Sequence, residues 1–170
     1  MGQSVIRHGT VDMEHLAYAN FVVIAVTCCF SYQGFRSSWF EQKYIFQPEA
    51  ILAQGQWYRL VTSGFLHANG WHLVMNMMSL HFFGPVIERF YGPVEFLVIY
   101  FAAIIGGDLL SLLVHRHHDY LAYGASGGVC GIIYAHIFLF PGGSIYLLFV
   151  PVGIPSWLYA IGFLAFSFSE

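Results

Sequence analysis

Long apolar stretches and short polar ones alternate along the whole chain. No Asp, Glu, Lys or Arg occurs from Leu16 to Phe35, and none from Leu121 to Ser169, a stretch long enough for two spans of about 20 residues each. The pattern predicts five spanning helices: Leu16 to Tyr32, Trp71 to Phe90, Val94 to Val114, Ser126 to just before Pro141, and Ile154 or Pro155 to Phe168. The second starts after "HANG" and stops before "YGP", both turn signals. Between the first two lies a mixed stretch in which Arg36, Glu41, Lys43, Glu49 and Arg59 interleave with Trp39, Phe40, Tyr44, Phe46, Trp57 and Tyr58. Such interleaving suits the lipid–water boundary, where Trp and Tyr collect. Within it, "PEAILAQ" starts on Pro48 and predicts a short helix lying in that boundary. The division expected is a tail over 1–15 and one membrane domain over 16–170, with an interfacial loop over 33–70.

Composition agrees with the pattern. Apolar residues make up 58% of the 170 residues, aromatics 19% and charged residues 9%; the mean hydropathy is +0.65. A soluble domain carries about 25% charged residues, so the fold class expected is an all-α, polytopic membrane bundle. Six Lys and Arg residues and a net charge of −3 leave no basic patch for phosphates and exclude a nucleic-acid partner. Cys28, Cys29 and Cys130 lie in apolar spans and form neither a disulfide framework nor a zinc spacing. The "HRHHDY" loop, His115 to Tyr120, has three histidines, but nothing else there would close a coordination shell; no metal or cofactor is expected.

Three features carry chemistry. Asp108 is a carboxylate in an apolar helix and should face the bundle interior or the boundary, beside the small residues Gly106, Gly107 and Ser111. In "YGASGGVCG", Ser126 sits among Gly124, Gly127, Gly128 and Gly131, two interleaved small-xxx-small pairs that let backbones approach closely. The helix that Ser126 opens is 15 residues long, about 22 Å, shorter than the hydrocarbon core of about 30 Å. Its unpaired N–H groups therefore need protein partners or a wet cavity at membrane depth. On the second helix, His72 and Asn76 project from one face, one turn apart. Imidazole and carboxamide both offer N–H donors. Two converging donors are what stabilises the oxygen that gains charge when a serine attacks a carbonyl. The alternatives are that the serine serves packing and that His72 and Asn76 bond neighbouring helices.

Together "GQWYRLVTSGFLH" (Gly55 to His67), "HLVMN" (His72 to Asn76), "GPVIERFYG" (Gly84 to Gly92) and "YGASG" (Tyr123 to Gly127) resemble the rhomboid family of intramembrane serine proteases, from Leu16 to the end. The resemblance implies that Ser126 is the nucleophile and that His72 and Asn76 hold the oxyanion, with Gly124 two residues before the serine. It implies structural roles for Trp57, Arg59, Glu88 and Arg89, and a supporting one for His67. Cys130 stands where many members carry an aromatic residue. The family's general base is a histidine on a sixth helix, so five of six spanning helices are expected here. His136 and His81 lie about 15 and 14 Å along their helices from Ser126 and His72, out of reach.

The expectation is a fragment, inactive alone, of an endopeptidase that cleaves single-span membrane proteins in the bilayer through an acyl-enzyme. The alternatives are a pseudoprotease that binds membrane segments and, further off, a histidine-rich metal transporter. Arg36, Lys43 and Arg59 would put the first loop in the cytoplasm; the resemblance puts it on the opposite side. The compact core without large extensions points to a bacterial inner membrane.

Overall fold

The computed structural model describes residues 17–116, 119–123, 125–145 and 153–168. All five segments expected to span are helical: α1 (Tyr18–Arg36), α5 (Gly70–Tyr91), α6 (Pro93–His115), α7 (Ala125–Leu139) and α8 (Ser156–Phe168). Between α1 and α5 the chain forms α2 (Ser38–Tyr44), α3 (Pro48–Gln54), α4 (Arg59–Thr62) and a 3₁₀ turn over Ser63–Phe65. The predicted "PEAILAQ" helix is α3, with Pro48 in its first turn and Gly55 closing it at φ 68°. The helix α1 runs one turn past its expected end at Tyr32. Polar residues there interrupt the apolar pattern but not the helix, and Ser37 then caps α2 by accepting from Phe40 N–H at 3.3 Å. A two-residue ladder pairs Ser144–Ile145 with Ile154–Pro155 just before α8.

By length and composition α1 and α6 can each cross a membrane, and Ser126–Leu139 and Ser156–Ala165 are shorter apolar segments. The helix α5 is long enough, but polar residues dilute its apolar face. Helix α7 packs on both α5 and α6, and α1 packs on α5. They share one core, which includes Leu80, Phe83, Ile87, Tyr100, Ile104, Val129, Ile132 and Ile133. The glycines of α7 set its distance from α6: a Cβ on Gly128 would lie 2.5 Å from the Tyr100 ring, and one on Gly131 would lie 2.4 Å from Ala103 Cβ. The packing expected of Gly127 and Gly131 is thus present, against α6. Gly124, His117, His118 and the N-terminal tail lie outside the described residues.

Polar groups tie the elements together. Glu88 is 5% exposed near the end of α5. Its two oxygens accept from Ala19 N–H at 2.9 Å and Asn20 N–H at 2.7 Å. It thus caps α1, which has no side-chain cap of its own and whose start attracts negative charge. Close approach at the same end requires Gly84, where a Cβ would fall 2.0 Å from Asn20 Oδ1. Asp108 is buried, as expected, with Ser63 Oγ at 2.6 Å. Arg59, also buried, donates to Gln42 O at 2.8 Å, Ile45 O at 2.6 Å and Gln56 Oε1 at 2.7 Å, which pins the end of α2 against α4. That is the structural role the resemblance implied, whereas Trp57 is more than half exposed.

Candidate active site

Helix α5 opens on a side-chain cap: Asn69 Oδ1 accepts from His72 N–H at 2.9 Å. Its buried stripe then runs His72, Asn76, Leu80, Phe83 and Ile87, steps of three and four residues on one face. The first two of these are polar and the rest apolar; Ser79, also buried on α5, is satisfied by Met75 O and the Tyr159 hydroxyl, each at 2.8 Å. Helix α7 has the same construction. Ser126 is its second residue and is partly buried, and Val129 and Ile133 follow on the same face, fully buried. The two apolar stripes meet in one core. Each is headed by polar groups.

The register between the stripes can be derived. Helices α5 and α7 run in the same direction, because α6 returns the chain between them. Near their far ends Phe83 and His136 pack edge to face with ring centroids 5.0 Å apart. His72 lies eleven residues before Phe83, and Ser126 ten before His136. At 1.5 Å per residue, those rises are about 16 and 15 Å. Counted along each helix, Ser126 is therefore about as far from that contact as His72 is, and about one turn farther than Asn76. The same contact places His136 at the opposite end of α7, and His81 is exposed, against Phe21 and Phe82. Neither is placed to serve Ser126, as the sequence spacing indicated.

Asn76 is fully buried, and its Nδ2 donates to His72 O at 2.9 Å, one turn back on its own helix. That bond uses one of two amide protons; Asn76 Oδ1 is buried with no hydrogen bond. His72 is 3% exposed and packs edge to face on His67 with centroids 5.2 Å apart. His67 Nδ1 lies 2.8 Å from Ser31 Oγ, and Ser31 Oγ donates to Phe65 O at 2.8 Å. A hydroxyl has a single proton. With that proton on the carbonyl, His67 Nδ1–H must donate to Ser31, an assignment of tautomer from the bonding pattern. Burial, and then the neighbouring His72, pull the His67 pKa down to about 3, so the ring is neutral. The supporting role implied for His67 is thus a physical one: a fixed imidazole against which His72 rests. A cleft of about 340 Å³ opens beside it, between Arg36, Glu41 and Ala68.

The sequence did not reveal what holds the segment before Ser126. Tyr123 donates its hydroxyl to Glu41 Oε1 on α2. One residue earlier, Ala122 and Phe46 exchange both backbone bonds, at 3.2 and 3.3 Å. Only the position of Tyr123 beside "GASG" hinted at this role; nothing linked it to Glu41, 82 residues earlier. Three residues of the "HRHHDY" loop, His115, Asp119 and Tyr120, are described together with Arg116, and His115 stacks on Tyr120 at 3.9 Å between centroids. Among the described residues no group of three or more His, Cys, Asp or Glu could hold a metal ion.

The sequence profile described as the Rhomboid domain matches residues 54–169. The chain is 38% identical over 88 residues to the putative rhomboid protease YdcA of Bacillus subtilis (strain 168), covering 52% of this chain and 44% of that protein. It is 36% identical over 118 residues to the mitochondrial RHOMBOID-like protein 12 of Arabidopsis thaliana, covering 58% of this chain and 34% of the relative. A third relative, the inactive RHOMBOID-like protein 8 of Arabidopsis thaliana, is 35% identical over 78 residues, covering 46% of this chain and 22% of its own. The chain thus spans less than half the length of each. No solved structure gives a significant match.

Proposed function

Because the chain belongs to the rhomboid family and is a membrane protein, we propose that it carries the nucleophile and the oxyanion donors of an intramembrane serine endopeptidase. The observation that supports this reading is the register: α5 and α7 run parallel, and counted from the Phe83–His136 contact their polar heads, His72 and Asn76 on one helix and Ser126 on the other, fall at similar distances along the bundle. Ser126 Oγ adds to the carbonyl carbon of a peptide bond in a single-span membrane substrate and yields its proton to a base. The resemblance assigns that base to a histidine on a sixth helix. The oxyanion takes hydrogen bonds from the imidazole of His72, the free amide proton of Asn76 and the unpaired N–H groups at the start of α7, whose dipole favours negative charge. Collapse of the intermediate breaks the C–N bond, the base returns the proton to the leaving amine, and water then hydrolyses the acyl-enzyme. No step calls for a metal or cofactor. In this reading the protein lies in a bacterial cell membrane, supported by its similarity to a Bacillus protein.

The test uses the full natural protein, reconstituted with a single-span substrate. Cleavage and fluorophosphonate labelling are expected, both lost in Ser126→Ala. Cleavage retained in Ser126→Ala overturns the nucleophile. Tight substrate binding without cleavage or labelling in the unaltered protein would select the second reading, a binding pseudoprotease, which the similarity to a relative named as inactive supports.

A further inference from the structure

The segment before α7 is held by contacts from other elements. Gly124 precedes Ala125 and Ser126. The described residues before it, 119–123, belong to no helix. What fixes them lies outside the segment. The ring of Tyr120 sits between His115, stacked at 3.9 Å, and Phe46, edge-on at 6.2 Å. Ala122 and Phe46 exchange backbone hydrogen bonds. Tyr123, the last described residue before the glycine, donates its hydroxyl to Glu41.

Glu41 is itself held firmly. Its helix, α2, ends on carbonyls that Arg59, Thr62 and Tyr58 all bond: Gln42 O and Ile45 O accept from Arg59 Nη1, Tyr44 O from Thr62 Oγ1 at 3.0 Å and Lys43 O from Tyr58 at 3.2 Å. The Glu41 carboxylate is thus a charged acceptor on a pinned element, and charge-assisted bonds are about twice as strong as neutral ones. Burial and the neighbouring Glu41 push the Tyr123 pKa up to about 12, so the phenol keeps the proton it donates.

From these contacts we infer that Glu41 and Tyr123 form a brace that positions Ser126. They are positioning residues: neither touches the reacting atoms. The first loop, through α2, holds the segment three residues before the nucleophile, at most about 11 Å of chain away, and so limits where α7 can begin. The inference rests on Ser126 being the nucleophile, but the brace itself can be tested apart from catalysis.

The experiment compares Tyr123→Phe, Glu41→Ala, Glu41→Gln and the Tyr123→Phe/Glu41→Ala pair with the unaltered full protein, by cleavage kinetics and by hydrogen exchange over residues 120–126. A misplacement of about 1 Å costs up to about 100-fold in rate. Tyr123→Phe and Glu41→Ala are each expected to lower kcat about 10- to 100-fold with KM unchanged. The double variant should fall no further than either single one, and Glu41→Gln, which keeps an acceptor, should recover most of the loss. Amide exchange at Ala122 should quicken in Tyr123→Phe and Glu41→Ala while exchange in α5 stays as it was. Unchanged exchange at 120–126 overturns the brace whatever the kinetics. Quickened exchange in a protein whose unaltered form does not cleave sustains the brace and instead refutes the protease reading. Should Tyr123→Phe unfold the protein, Glu41→Gln against Glu41→Ala decides by the same two readouts.

Discussion

The two ends of α5 place polar groups in an apolar bundle in opposite ways. At the Glu88 end both carboxylate oxygens are used, on consecutive N–H groups at the start of α1. At the His72 end capacity is left over. Asn76 Oδ1 and His67 Nε2 are buried without a hydrogen bond, and Asn76 has an amide proton beyond the one given to His72 O. Leaving a buried polar atom unpaired costs about 1–3 kcal/mol, so a fold keeps such atoms where something else repays the cost. Asn20 warns against reading every orphan as functional: its amide is buried and unbonded too, wedged against Gly84 by close packing. What separates the His72 end is that its orphans belong to the residues that the proposed reading sets around the oxyanion.

The contrast can be broken from either side. The largest effect is expected at Ser126: Ser126→Ala should drop cleavage by the full protein to background, a loss of about 10⁴-fold or more, with thermal stability in detergent unchanged. Asn76→Ala comes next, at about 100- to 1,000-fold in kcat. A comparable loss of stability instead would reassign Asn76 to the structural class. Glu88→Ala should behave in the opposite way. It strands two buried N–H groups and removes a charged cap, destabilising the protein by about 2–3 kcal/mol, measured by denaturant unfolding in micelles, with kcat of the folded fraction retained. The smallest effect is at His67. Its folded pKa of about 3 lies below the ordinary histidine value, so its contribution is present above about pH 6.5 and is lost as pH falls toward 3. By pH 5 the loss should be about 2 kcal/mol. His67→Gln should flatten that dependence; a slope that persists in His67→Gln places the titration elsewhere.

The legibility of the site followed the range of its contacts. His72 and Asn76 were readable as a pair because four-residue spacing puts them on one helix face, a local fact. Ser126 stood out because a lone hydroxyl among glycines opens a short apolar helix. The Arg59 role entered through a motif within the first loop. Glu88 could be assigned a structural part, but not its partner, since nothing in "IERFY" points to the N–H groups of residues 68 and 69 positions earlier. Ser31, which orients His67, was invisible for the same reason: it is a small hydroxyl in a continuous apolar run, and such a residue also suits plain packing.

The amino-acid order determined the number, type and approximate limits of the spanning helices, because each depends on about 20 neighbouring residues meeting one solvent. It also determined which side chains each helix would present on one face. The tertiary structure alone decided the register of α5 on α7, the cap that Glu88 lends to α1 and the hold of Glu41 on Tyr123. These depend on residues tens of positions apart, and their geometry is set only when the glycine faces of α7 have closed on α6 and the loop before α5 has folded around Arg59.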